Sequence, residues 1–424
     1  MSGTPDSNDP ESTPDATDPI ARRRAELARK LASLSPEKRA QLAQTAATQA
    51  GAPTIATRTI PNRDRTKPAP LSFAQELLWR LERASPGHAY NVPRAVRLSG
   101  TVDQVALQRA LDVLVERHEA LRTTFDFVND EPTQIVGAAA PVLLQHIDVS
   151  HLPPAEREPA ARAHMRELSR TKFDLAVDHQ LRAWFIRLSD DDNVLFLLSH
   201  HVSSDGWSGS ILMRELTALY DAFRENRAPA LPEVSLQYGD YAAWQRRTLS
   251  GKRLDDLLQF WRNELDGAPL VLDFPTDRAR PSVPGFDGAL RALTIDTAAV
   301  EQMRELGRAQ GVTSFMLLLS TLYVLIYRYS GEEEMVVGTP IAGRSYAELE
   351  NVVGFFSNTL LVRGSLAGNP TFRELLARVR ASSLSAFDHQ DIPLETLLTT
   401  RGNGDSPIAA MPQFVLSTED PDRE

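Results

Sequence analysis

Val194-Leu195-Phe196-Leu197-Leu198-Ser199-His200-His201-Val202-Ser203-Ser204-Asp205-Gly206 joins an unbroken apolar run to a polar loop. Residues 194–199 lack alternation, which marks a strand buried on both faces and hence a sheet covered on each side. Residues 208–224 follow as a helix with Ile211, Leu212, Leu216, Leu219 and Tyr220 as its buried stripe. Between strand and helix stand two histidines and an Asp-Gly pair. Gly206 is expected to give backbone freedom where a side chain would crowd the turn. Asp205, four residues after His201, is close enough to orient backbone or a cation.

Histidine suits proton transfer near neutrality, and loops leaving rigid strands are common seats of catalysis. Two readings stand at this point: histidines satisfied structurally by backbone carbonyls, or a catalytic cluster. A metal site is disfavoured, since adjacent histidines on a strand point to opposite faces and no further ligand is evident. GWSGS (206–210) does not have the G-x-S-x-G spacing of a serine hydrolase.

Outward from this loop, residues 101–118 place Leu107, Ala110, Leu111, Leu114 and His118 on one helical face. LRTTFDF reads as a strand, with Thr123, Phe125 and Phe127 on one face and Arg122 and Thr124 on the other. The charged, Pro-containing stretch 248–288 suggests a lobe boundary. Beyond it, 316–330 has the character of a buried helix and 334–344 that of a strand and turn. The leader 1–19, acidic and rich in Pro, Ser and Thr, is expected to be disordered and is no signal peptide. Segment 20–49 reads as short helices, either a docking element or a passive spacer, and 50–69 as a linker.

The 424 residues carry a net charge of -10, which argues against a nucleic-acid partner. There is no cysteine, so disulfides, thiolate nucleophiles and Cys-bearing zinc sites are excluded. No apolar run approaches the roughly 18 residues a membrane helix needs. The chain reads as cytoplasmic, with no membrane partner.

HHxxxDG resembles the core motif of the condensation domains of nonribosomal peptide synthetases, and five companions occur in the family's order. LSFAQELLW (71–79) is similar to S-x-A-Q-x-R-L-W, with Leu77 where Arg is usual. RHEALRTTF (117–125) matches R-H-E-x-L-R-T-x-F throughout. YGDYAAWQ (238–245) resembles Y-x-D-Y-A-x-W. VVGFFSNTLLVR (352–363) has Ser357 for the common Val, and HQDIPLE (389–395) has Leu394 for Phe. The resemblance runs from about residue 71 to 416.

It implies an α/β fold of two chloramphenicol acetyltransferase-like lobes set in a V, with the active site in a tunnel between them. The lobes are expected at 70–248 and 249–424. His201 is the implied catalytic residue, as base or positioner, with His200 beside it and the Gly206 N–H near the developing oxyanion. Asp205 is implied to be structural, with Arg122 as its matching partner. Ser204, Trp207 and Asn358 are tunnel candidates.

The implied reaction joins an upstream acyl or peptidyl thioester to the amine of a downstream aminoacyl thioester. Both ride on the phosphopantetheine arms of peptidyl carrier proteins, which enter as substrates; no bound cofactor or metal is implied. An adenylation domain of the same assembly line is a further implied partner. Trp207-Ser208 after the motif resembles domains taking an L-configured donor. The rivals are a standalone HHxxxDG acyltransferase using a free acceptor and a non-catalytic, partner-recruiting relative. The family normally continues beyond PQFVLSTED (412–420), so a truncated second lobe is expected.

Overall fold

The computed structural model of the protein describes residues 60–278, 288–401 and 412–418. The expected leader, the helical segment 20–49 and the linker up to residue 59 lie outside the described residues. In chain order the elements are β1 (Ala69–Pro70), α1 (Phe73–Ala84), β2 (Asn91–Ser99), α2 (Gln104–Arg117), β3 (Thr123–Val128), β4 (Glu131–Val136), β5 (Leu144–Asp148), α3 (Pro154–Leu168), β6 (Leu181–Arg187) and β7 (Asp192–His200). There follow α4 (Gly206–Arg224), α5 (Tyr238–Thr248), α6 (Gly251–Glu264), α7 (Thr297–Gln310), α8 (Ser314–Ser330), β8 (Glu334–Ile341), β9 (Asn358–Ser365), α9 (Phe372–Asp388), α10 (Leu394–Arg401) and β10 (Phe414–Val415).

Among the described residues the strands form three sheets. The largest runs β2-β7-β6-β5, antiparallel except between β5 and β6. A small sheet, β1-β4-β3, flanks it, and the second half of the chain holds β10-β8-β9. Residues from Ile60 onward form one compact unit.

The unbroken apolar run of β7 is explained by two cores, one on each face. Leu195 and Leu197 pack with Leu111 and Leu114 of α2 and with Ile211 and Leu219 of α4. Val194, Phe196 and Leu198 pack instead with Trp79, Phe125 and Trp184. Period-two alternation thus serves two hydrophobic layers, and truncating the fully buried Leu198 to Ala would cost about 2–5 kcal/mol. The expected α4 stripe is buried at Ile211, Leu212, Leu216 and Leu219. Tyr220, half-buried, accepts the Asp103 N–H at the start of α2.

Phe125 and Phe127 share one face of β3, as expected, and both pack toward Trp79, but they differ in burial. Phe125 is buried, but Phe127 is 45% exposed, because β3 runs out to the edge of the small sheet. The Phe127 ring packs edge-on against Trp79 at 4.9 Å and lies under Arg83.

A third core, containing Trp261, Leu319, Tyr323 and Val337, organises the second half. The connection between β8 and β9 leaves that core: Leu349, Val352, Val353 and Phe356 pack among the residues of α2 and α4. Gly354 permits this crossing, since a Cβ there would lie 2.5 Å from Cγ of the buried Tyr238 ring. Among the described residues, no single helix is long and apolar enough to cross a membrane.

The RHEALRTTF segment contributes a buried ionic knot beneath α4. Glu215 accepts from Arg117 Nε at 2.9 Å, and His118 Nε2 lies 2.9 Å from the same carboxylate oxygen. Burial opposes ionisation of Glu215, but hydrogen bonds from His118 and Arg117 outweigh it and pull its pKa down to about 2. A carboxylate whose pKa is depressed on folding contributes stability that is present above its unfolded value and lost as pH falls through its folded value. Acid titration between pH 4.5 and about 2 should therefore erode stability by up to about 3 kcal/mol through this group alone. Denaturant midpoints should drop across that window, and less steeply in Glu215→Gln; equal slopes would remove Glu215 as the cause.

Candidate active site

Strand parity decides where the two histidines go. His200, the last residue of β7, falls on the Phe196 side and is 2% exposed. Its ring sits edge-on to Tyr90 and Phe173, its Nδ1 accepts the Val202 N–H at 3.2 Å, and Glu82 Oε2 stands 3.9 Å from Nε2. His201 turns the opposite way, with its ring 4.6 Å from that of Phe355 on the crossing segment. Its backbone N–H donates to Tyr90 O at 2.8 Å, stapling the loop to the start of β2.

The His201 ring has a defined polarity. Nδ1 lies 2.7 Å from the Ser204 carbonyl, which only accepts, so Nδ1 carries the proton. Nε2 is left with its lone pair and, among the described residues, no hydrogen bond. Burial pushes the His201 pKa below 6.5, against the raising effects of the Ser204 carbonyl and the Asp205 charge. The neutral, proton-accepting form is therefore favoured at physiological pH.

Asp205 caps α4 and gathers three elements. Oδ1 accepts the Ser208 N–H at 2.7 Å and Arg344 Nη2 at 3.2 Å, and Oδ2 accepts the Phe356 N–H at 3.0 Å. Arg344 extends the cluster with Nη1 on the carbonyls of Leu349 (2.6 Å) and Val352 (2.7 Å), and with Nη2 on Ser208 Oγ at 2.9 Å. Ser208 Oγ also donates to Gly354 O and accepts the Gly354 N–H. Both charged side chains are sealed, 1% exposed for Asp205 and 2% for Arg344.

The expected partner, Arg122, is therefore incorrect. Its guanidinium donates to the carbonyls of Gly137 and Val115, pinning the turn before β3 to the end of β4, and does not reach the loop. Arg344 lies in the stretch read only as a strand and turn. No local signal marks it, because its pairing spans 139 residues.

The remaining candidates divide. Gly206 is not demanded by the turn: its φ is not positive, and a Cβ there would meet nothing within 4 Å. It instead leaves open space at the exposed first residue of α4, and its N–H makes no hydrogen bond among the described residues. Ser204 is buried and touches His201 through its carbonyl. Trp207 is 38% exposed and donates to Glu350 O at 2.9 Å, a further tie to the crossing segment. Asn358 is a clamp: Nδ2 donates to Gln390 O and Ile392 O, and Oδ1 accepts from Leu394 N and Thr359 N. Its amide is spent on backbone, leaving little with which to read a substrate.

Asn358 borders a solvent-connected cavity of about 60 Å³ lined also by Ser72, Tyr238, Tyr241, Trp244 and Phe355. Tyr238, which sequence reading passed over, bridges the Ser72 hydroxyl and the Phe355 carbonyl. Phe355 thus both lines this cavity and packs its ring 4.6 Å from that of His201.

Residues 66–413 match the family described as Condensation domain. A linear gramicidin synthase protein of Brevibacillus parabrevis is 44% identical over 330 residues, 78% of this chain and 6% of that protein. Phosphinothricin tripeptide synthetase PhsC of Streptomyces viridochromogenes is 40% identical over 376 residues, 88% of this chain and 34% of that protein. The chain therefore spans well under two thirds of these relatives. Among solved structures, the X-domain from teicoplanin biosynthesis superposes with a TM-score of 0.75 at 31% identity, covering 82% of this chain and 77% of that one. The first condensation domain of the CDA synthetase, at 21% identity, shares the fold with a TM-score of 0.68 over 84% of this chain and 83% of that one.

A double-mutant cycle separates the two arginines. Arg344→Ala strands a buried carboxylate and should cost about 3–5 kcal/mol. Coupling between Asp205→Ala and Arg344→Ala, from denaturant unfolding, should exceed about 0.5 kcal/mol, while Asp205 and Arg122 should be additive. Coupling to Arg122 instead would reverse the assignment.

Proposed function

The chain belongs to the condensation-domain family of nonribosomal peptide synthetases, and from that premise we propose that it forms an amide bond between two carrier-bound thioesters. The acyl or peptidyl group arrives on the phosphopantetheine arm of an upstream peptidyl carrier protein. The amine arrives as an aminoacyl thioester on a downstream one, loaded by an adenylation domain of the same assembly line. The observation that carries this reading is the neutral His201 ring, with Nδ1–H fixed on Ser204 O and Nε2 open.

In the proposed reaction the amine attacks the thioester carbonyl and the C–S bond breaks, returning the arm as a thiol. Nε2 accepts the proton that the amine loses as the amide forms, and the departing thiolate takes it up. No covalent enzyme intermediate is needed, since a thioester is already activated, and holding both ends together supplies effective molarity. The Gly206 N–H, at the positive end of α4, is the proposed donor to the oxyanion, a reading supported by its lack of a hydrogen bond among the described residues. His200 acts as support: its ring is enclosed by Tyr90 and Phe173 and does not face the open Nε2 of its neighbour. The L-donor preference suggested by Trp207-Ser208 belongs to the same proposal.

A second reading draws on one neighbour. The X-domain is also known in complex with OxyB from teicoplanin biosynthesis, and this chain is 32% identical to that copy. A partner-recruiting role would need neither the fixed tautomer nor the open Nε2, so amide formation is favoured. His201→Ala should lower single-turnover product formation by about 100-fold or more with an unchanged melting temperature. In the wild type, product formation should fall as pH drops through a midpoint below 6.5, beneath the limb set by an acceptor amine titrating at about 8. Undiminished product from His201→Ala, or none from the wild type with loaded carriers, would overturn the proposal.

A further inference from the structure

Arg94 occupies an unusual position in the sheet that carries His201. It lies on β2 opposite Leu197 of β7, three positions from the Asn91–His200 pair. Its half-buried guanidinium reaches over the first turn of α4, into a notch that exists because residue 209 has no side chain. A Cβ on Gly209 would stand 2.8 Å from Cζ and 3.0 Å from Nε of Arg94. Any other residue at 209 would displace the guanidinium.

Among the described residues, that guanidinium has no partner. Among the described residues, Arg94 alone of the arginines that are not exposed makes no hydrogen bond, ion pair or ring contact. None of its five donors meets an acceptor among the described residues, although half-buried arginines elsewhere in this fold are each tied to carboxylates or carbonyls. The surroundings give it no counter-charge: the first turn of α4 holds no acidic residue, and Asp205 is committed to Arg344. A cation against a helix N-terminus is unfavourable without an anion between them. Gly206 lies three residues before Gly209, on the same helical face, with nothing within 4 Å of where a Cβ would be. Open space therefore adjoins a guanidinium that no described residue pairs, at the start of the helix that follows His201.

We propose that Arg94, seated in the Gly209 notch, is a specificity-determining residue that selects a substrate bearing a carboxylate on the acyl or aminoacyl group being joined. This rests on the amide-forming reading above. A carboxylate entering over Gly206 would take two parallel N–H donors of the guanidinium, a geometry that Arg offers and Lys does not. The phosphodiester of the phosphopantetheine arm presents the same anionic chemistry, but it is common to every substrate and so cannot give selectivity.

The test uses the full chain with carrier proteins loaded with matched pairs, an aspartyl or glutamyl group against its asparaginyl or glutaminyl isostere, placed in turn on the donor and the acceptor. Wild type should favour the acid over the amide about tenfold or more at one of the two positions, as expected for charge-assisted hydrogen bonds. Arg94→Ala, and independently Gly209→Met, which fills the notch, should bring that ratio to about one; Arg94→Lys should restore only part of it. Melting temperatures of the variants check that the fold is kept. A wild-type ratio near one at both positions would overturn the proposal. So would a ratio that survives Arg94→Ala, or an equal loss with acid and amide substrates, which would assign Arg94 to the arm's phosphate. Product from the neutral isosteres in wild type shows that amide formation stands even where this selectivity fails.

Discussion

A buried ion pair between Asp205 and Arg344 is the constraint on which the site depends. Neither side chain can exchange its partner for water: the carboxylate also accepts from the Ser208 and Phe356 N–H groups, and the guanidinium donates to the Leu349 and Val352 carbonyls and to Ser208 Oγ. Such a pair adds little net stability over a well-packed apolar substitute, because desolvation consumes most of the attraction. Its value here is geometric. It fixes the start of α4, the histidine loop and the crossing segment against one another, and any one of them displaced leaves a buried charge exposed to nothing.

From that fixation the chemistry of His201 follows. Phe355 reaches the imidazole because the crossing segment is tied down on either side of it, at Gly354 through Ser208 and at Phe356 through Asp205. The same ring keeps water from one side of the histidine, and desolvation then holds its pKa below the ordinary value. Ser204 O, positioned by the turn that Asp205 closes, selects the tautomer. The ion pair thereby holds in place both the carbonyl that selects the His201 tautomer and the ring that shields the imidazole.

The two glycines of α4 play unlike parts for one reason, the space where a Cβ would stand. At 206 that space is open; at 209 it holds the guanidinium of Arg94. Neither residue adopts a left-handed conformation, so both are explained by room rather than by backbone freedom. The stretch GWSGS fails as a hydrolase signature and succeeds as a helix start with two glycines on one face, one beside open space and one beneath Arg94.

Much of this protein is written locally. The strand through Leu198, the α4 stripe and the histidine pair at the strand end are readable because their cause, periodicity along the chain, acts over a few residues. The six ordered motifs carry the family and, with it, the α/β fold. What tertiary structure alone decided is the set of contacts made across more than a hundred residues, together with shorter clamps that no periodicity announces. Arg344 rather than Arg122 meets Asp205, Asn358 clamps the 390–394 loop, and Arg94 finds its notch only where β2 passes over α4. A guanidinium carries no mark in sequence of which carboxylate it will meet, since that choice is made by the packing of sheets and helices that bring the two together.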